Sequence, residues 1–456
     1  MHTPIYYNFR IMLTAMKYIR QFHLFLVFLL GTTLYRCGFT YATPGIQKST
    51  AIQEDGQTLF IVPMPQQAST LTPTIEPSTI TPAVPTFTAT SSEIKEEDTD
   101  STPTPALIFT HTPNPYVTAT PQASDIQHGN INPLTGLLVD DSAVLDRSPV
   151  LVKISNFPRE IRPQSGLSKA DIVFEYYIGG FMNRFLAVYY GDNAEWAGPI
   201  RSGRLIDAQL AKNYQGILVY GGADERVNNV ITSEEFLGDR AIDTRYFSSC
   251  PPICGTDTHS LEGVYVDTAM MSEWAFMVES DLHQRPGNMN TLNHSEDLPP
   301  AEDLVEATEI EVITSVICRS KWIYDPLTVS YLRWEESDDR SEEYTASVDV
   351  AANFLQVDTQ NILILFADYV VYDAMLHDIR IHYADDVMPA IFFRNGYQFK
   401  GYWSGLNPSM PLQFYDTDFA PYSLAPGKAW VVFVTPDSEI ITSDAPGTWQ
   451  VIFARP

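Results

Sequence analysis

Arg201 and Arg204 flank Ser202 in the run Gly198-Pro199-Ile200-Arg201-Ser202-Gly203-Arg204, just before a stretch with helical periodicity. A helix start carries the positive end of the peptide dipole and free N–H groups, so it favours anions and disfavours cations. Two arginines within one turn break that rule. They point to an anion held between them: a carboxylate, phosphate or sulfate gripped by two guanidinium forks and the backbone. Acidic side chains of the chain itself can fill the same role, so structural pairing stands beside ligand binding. Gly221-Gly222-Ala223-Asp224 follows a short apolar strand, where glycine permits close approach of backbone to a ligand. The candidate ligand contacts are therefore Arg162, Arg201, Ser202, Arg204, Gly221 and Gly222.

Glu175 and Arg184 interrupt strongly apolar runs on either side of Gly179-Gly180. A two-residue hairpin turn at those glycines sets Glu175 opposite Arg184 and Phe174 opposite Phe185. The ionic pair is then either a register device or the wall of a pocket. Asp171 and Tyr177 share the Glu175 face by strand alternation. An acid–base hydrolase or transferase would draw on Glu175 or Asp171 together with His259. No Gly-x-Ser-x-Gly elbow, His-Glu-x-x-His pair or phosphate-loop motif occurs, so the reading leans away from an enzyme, with no cofactor and no metal expected. Cys250 and Cys254 are expected to close a local disulfide in an oxidising compartment, with a Cys-Cys-Asp-His metal set through Asp257 and His259 as the alternative. Cys318 reads as a buried thiol.

Two kinds of scaffold position these residues. Residues 150–156, 171–178 and 181–190 read as strands, and Ser202 caps a helix running to Tyr214 with Gly216 closing it. A short strand over 217–220 follows, then helices over 225–236 and 266–278. From residue 310 onward the chain reads as nearly all β, with Asn395-Gly396 as its strongest hairpin signal. The expected fold class is α+β: a mixed sheet-and-helix domain over 129–285, a polar seam over 283–300, and a mainly antiparallel β domain over 300–456. The second domain is expected as a curved sheet or small barrel.

Of 456 residues, 28 are Lys or Arg and 56 are Asp or Glu, for a net charge of -28. That field repels nucleic acid, which is excluded as a partner. A charged fraction of 18% with 12% aromatics also excludes a uniformly disordered acidic chain and a coiled coil. Arg10, Lys17 and Arg20 precede an apolar run of about 14 residues over 22–35, the length of a secretory core and short of the roughly 20 that span a bilayer. Residues 1–42 thus read as a signal peptide or signal anchor. Three outcomes stay open: lipidation of Cys37, cleavage near Thr40-Tyr41-Ala42, or an uncleaved anchor. Each places the rest outside the cytoplasm. Residues 43–128 are a Thr/Pro-rich stretch, with pairs such as Thr72-Pro73 and Thr104-Pro105, that reads as a disordered, semi-stiff stalk.

Several ordered blocks carry a resemblance. They are Asn132-Pro133-Leu134-Thr135-Gly136-Leu137, Arg162-Pro163-Gln164-Ser165-Gly166-Leu167, Ala170-Asp171-Ile172-Val173-Phe174-Glu175, and the Gly198 to Arg204 run; later come Gly396, Trp403 and Leu424-Ala425-Pro426-Gly427-Lys428-Ala429-Trp430. Together they resemble the YerB-like family of bacterial exported lipoproteins, built from an N-terminal and a C-terminal domain of unknown function. The resemblance implies a two-domain plan and an envelope location, and it implies no activity. Thr258-His259-Ser260 departs from the family's Pro-His-Asn, and the sequence before Cys37 departs from a regular lipobox. The expected function is that of an exported or membrane-associated envelope protein, binding a small anionic or glycan-like ligand, a cell-wall component or an envelope protein. The alternatives are an envelope hydrolase or transferase and a purely structural interaction protein.

Overall fold

The computed structural model describes residues 130–247, 249–255, 263–278, 286–299, 304–338, 343–382 and 387–456. The expected signal segment, the stalk, Cys37 and His259 lie outside them. Ile172–Gly179 (β2) has no exposed residue. A strand apolar on both faces must be covered on both. Met182–Tyr189 (β3) pairs antiparallel along one edge, and Val150–Ile154 (β1) continues outward from it. Ile217–Tyr220 (β4) and Ala241–Asp243 (β5) then add in parallel. Along the other edge of β2 runs Ala429–Val434, also parallel, followed by Asn361–Phe366, Met388–Arg394, Tyr397–Ser404 and Gln413–Tyr415. One eleven-stranded sheet therefore takes strands from both halves of the chain.

One face of this sheet is covered by Leu205–Asn213 (α1) and Glu225–Ser233 (α2), which bury Leu205, Ile206, Leu210, Val227 and Ile231. The hairpin of Asp368–Asp373 and Leu376–Arg380 packs on the same side through Leu376 and Ile379. The other face is covered by Thr268–Val278 (α3) and a seven-stranded sheet. There Glu309–Ser315 alternates buried and half-buried residues with the period of two that a one-sided strand requires. Ion pairs and caps also join the halves. Arg159 and Arg162 reach Glu336 at 3.2 and 3.0 Å, and Asp349 accepts from the N–H groups of Gly166 and Ser168 at 2.7 Å each.

Four expectations are revised. The seam expected over 283–300, of which 286–299 are described, divides the chain but not the large sheet, whose strands lie on both sides of it. Some C-terminal strands form the seven-stranded sheet by themselves, while others join the large sheet. The hairpin turn is Gly180-Phe181, with Gly179 facing Met182 and an irregularity between Tyr177 and Gly179. As a result Glu175 stands opposite Phe185, Phe174 opposite Leu186, and Arg184 opposite Tyr176. The cause is Gly179, where a Cβ would come within 2.4 Å of the Ala374 carbonyl, so that glycine serves a close approach and the turn slides on by one. Finally, α1 begins at Leu205 with Arg204 at its N-cap, and Asp207 accepts from the Arg204 N–H at 2.6 Å; Ser202 is not the cap.

Because β2 needs Ala429–Val434 along its edge, a fragment of residues 130–299 leaves that edge unpaired. It should aggregate or lack a cooperative thermal transition by circular dichroism. A soluble fragment with a sharp transition would contradict the shared-sheet account.

Candidate functional site

The one-residue shift in the hairpin sends Arg184 to the face under α1, where Lys153 from β1 and Tyr176 from β2 also project. The Lys153 ammonium donates to the Tyr176 hydroxyl at 2.5 Å and to Asp207 at 3.2 Å, and Tyr176 donates to the same carboxylate. Lys153 also lies 3.9 Å from the Tyr176 ring centroid. Both Lys153 and Asp207 are fully buried. Arg184 Nη1 donates to the Ser202 carbonyl at 3.0 Å, and Arg204 Nη1 donates to the Ser202 and Gly203 carbonyls at 3.3 and 2.9 Å. Arg204 Nε is buried with no hydrogen-bond partner among the described residues.

Positive charge is in excess here. Lys153, Arg184 and Arg204 surround the single carboxylate of Asp207, with Arg201 near enough to act on Arg184. Burial lowers Lys153 to about 7, opposed by Asp207 and reinforced by Arg204 and Arg184. Burial also lowers Arg184 to about 9, helped by repulsion from Arg204 and Arg201. Burial lowers Arg204 too, with Asp207, Tyr176 and Asp224 pulling the other way. Like charges gathered in a poorly solvated place are costly unless a counter-charge joins them. The cluster opens through Arg204 and Ser202 into a cleft of about 190 Å³, also lined by Asp224, Arg226, Asp373 and Met375. Asp224 and Asp373 are both bound by Arg226, at 2.9 and 2.7 Å, so the rim sets two carboxylates against one guanidinium, and Asp224 also acts on Arg204.

The residues singled out from the sequence divide across the sheet. Arg204 and Ser202 line the cleft. Arg201 is buried, its N–H bonded to the Lys153 carbonyl at 2.9 Å and its carbonyl to the Gly221 N–H at 2.9 Å. Gly222 donates to Asp243 at 3.1 Å and lies so close to Arg245 that a Cβ would meet the guanidinium at 2.4 Å. Both glycine N–H groups are thus committed inside the protein, and their role is to join strand ends. Arg162 lies on the opposite side, bound to Glu336, Glu335 and the Asn156 side chain. A chain of side chains leads on from Asn156 through Asn183 to Glu175, whose other oxygen accepts from the Trp430 indole at 2.8 Å. Burial raises the Glu175 carboxyl, with Arg333 opposing it. Asp171 accepts from Asn132, Tyr190 and Gly191 at 2.7, 2.6 and 2.9 Å, and burial lifts it to about 6. Glu175, Asp171 and Arg204 therefore do not share one cleft.

Cys250 and Cys254 form a disulfide and Cys318 is a buried thiol. Among the described residues no group of three or more His, Cys, Asp or Glu is placed to hold a metal ion, and no helix is long and apolar enough to cross a membrane. Lys153, Tyr176 and Asp207 were not singled out from the sequence. The available signals were a lone lysine inside the apolar run 150–154 and an acid three residues after Arg204.

Residues 134–259 match the family described as "Protein of unknown function (DUF3048) N-terminal domain", and residues 310–431 match the corresponding C-terminal domain. The chain belongs to the YerB-like family. A Bacillus subtilis (strain 168) protein described as "Putative lipoprotein YerB" is 44% identical over 90 residues, which cover 20% of this chain and 27% of that protein, about a quarter of its length. The crystal structure of YerB protein from Bacillus subtilis superposes with a TM-score of 0.55 at 25% identity, covering 67% of this chain and 96% of that one. In this YerB-like chain all the cluster residues from Lys153 to Asp207 fall within the first matched segment.

Lys153 gives the cluster a pH signature. Its folded value of about 7 lies below the ordinary 10.5, so between those values the unfolded chain binds more protons. The cost of burying the charged amine is complete below about pH 7 and is relieved as pH rises toward about 10. Lys153→Met should remove that rise in stability, read from urea midpoints at about pH 7 and about pH 9.5. Parallel midpoints in the two proteins would refute the assignment.

Proposed function

We propose that this chain is an exported, membrane-tethered binding protein whose first half holds a small anion in the arginine cleft. The observation that carries the reading is the excess of buried cations, Lys153, Arg184 and Arg204 around Asp207, at the start of α1. An anion at the cleft would meet the Arg204 side chain, would gain from the α1 dipole, and would offset the repulsion between Arg204 and Arg184. A phosphate, sulfate or carboxylate group has the required charge and acceptor count. In an envelope setting such a group is carried by a cell-wall component or an acidic envelope protein. Tethering is supported by the basic residues and apolar run before Cys37 and by the lipoprotein description of the Bacillus subtilis relative. Acid–base chemistry by Glu175 or Asp171 draws less support, since both carboxylates hold structural hydrogen bonds on buried strands.

Isothermal titration of the full chain with inorganic phosphate, sulfate and acetate at low ionic strength tests the reading. Saturable binding of at least one anion is expected, weakened about tenfold or more by Arg204→Ala and by Arg184→Ala. Arg162→Ala should lower Tm and leave the affinity unchanged. Wild-type protein that ignores all three anions, together with an Arg204→Ala chain that fails to fold, would mark the cluster as structural.

A further inference from the structure

A second cavity, of about 350 Å³, opens beside the edge strand Gln413–Tyr415, lined by Thr291, Asn293, Gln413, Tyr415, Pro421 and Tyr422 among others. That volume falls within the roughly 300–1,000 Å³ of small-molecule sites. None of its lining side chains is charged. In a chain of net charge -28 an uncharged wall selects for a neutral occupant. The wall is not simply apolar either. Tyr422 is buried, its ring held against Phe392 at 4.3 Å. Gln413 Nε2 donates to Thr291 Oγ1 at 3.0 Å and to the Pro411 carbonyl at 2.7 Å. Those two bonds fix the amide and leave its carbonyl oxygen as an acceptor, while the Thr291 hydroxyl keeps its proton to donate.

Next to the cavity stands an aromatic ledge. Tyr402 pairs across the strands with Tyr415 and stacks on Phe419 at 4.6 Å and 15°. Phe419 is 56% exposed and held at a φ of 61°, a left-handed conformation that a bulky residue adopts only under constraint. Aromatic faces beside fixed amide and hydroxyl groups match one ligand chemistry best. A pyranose ring offers an apolar face of axial hydrogens to stack and equatorial hydroxyls to pair. An apolar peptide side chain would cover the rings but offer the Gln413 carbonyl no donor.

We propose that this cavity binds a neutral saccharide, one pyranose ring seated against Tyr415 and Tyr422 and the glycan continuing over Tyr402 and Phe419. The site is separate from the arginine cleft and does not depend on it.

Saturation-transfer NMR on the full chain in detergent micelles tests this, with an N-acetylglucosamine tetramer, cellotetraose and a phenylalanyl dipeptide as probes. Saturable binding of at least one saccharide is expected with a Kd of about 1 mM or tighter. Gln413→Ala and Tyr415→Ala should each weaken it about tenfold or more, with Tm measured alongside to verify folding, and Arg204→Ala should leave it unchanged. No saturable saccharide binding at about 10 mM would overturn the proposal. So would binding that survives both cavity variants, or binding of the dipeptide in place of the saccharides.

Discussion

The parallel ladder between β2 and Ala429–Val434 is the contact on which the rest of the molecule depends. It joins the two family segments into one sheet and closes β2 on both edges. Alternation along β2 then divides its chemistry between two faces. Tyr176 points toward α1 and the buried cations, while Glu175 points toward Trp430 and the second sheet. Trp430 reports the same coupling, since its ring meets Phe185 from the first half and Trp322 from the second, edge to face at 5.2 and 4.9 Å. The network on that side, with Arg333 over these same rings and Arg162 bound to Glu335 and Glu336, is fully matched in charge and holds the halves together.

The other face is not matched, and the contrast is informative. Buried ionic groups persist where partners and hydrogen bonds satisfy them, as around Glu336. Beneath α1 the donors outnumber the acceptors, and the surplus sits at the helix end that already carries positive potential. Cations gathered at a helix start break a local rule, and such a break marks a place shaped for something besides stability. At the rim Arg226 bridges Asp224 and Asp373.

Much of this plan was legible in the sequence. The early strands lie close to their expected positions, and Asn395-Gly396 forms a two-residue turn between Arg394 and Tyr397. The failures share a physical cause, which is that contacts distant in sequence override local pattern. Gly179 looked like a turn residue because its reason for being glycine, the Ala374 carbonyl, lies almost two hundred positions away. Arg162 looked like a ligand contact because its partners Glu335 and Glu336 belong to the other half. The seam over 283–300 gave no sign of the shared sheet, because periodicity cannot reveal that Ala429–Val434 returns to lie beside β2. Lys153 was hidden by its own surroundings, as one lysine in a short apolar strand gives no spacing to read.

The central claim is that the cations beneath α1 form an anion site. Crystals of the protein grown in selenate test it most directly, through the anomalous signal of selenium. The account predicts a selenium peak in the cleft within hydrogen-bonding reach of the Arg204 guanidinium. A map with selenate bound elsewhere and an empty cleft, with Arg204 Nε bonded to a carboxylate or carbonyl of the chain itself, would contradict it.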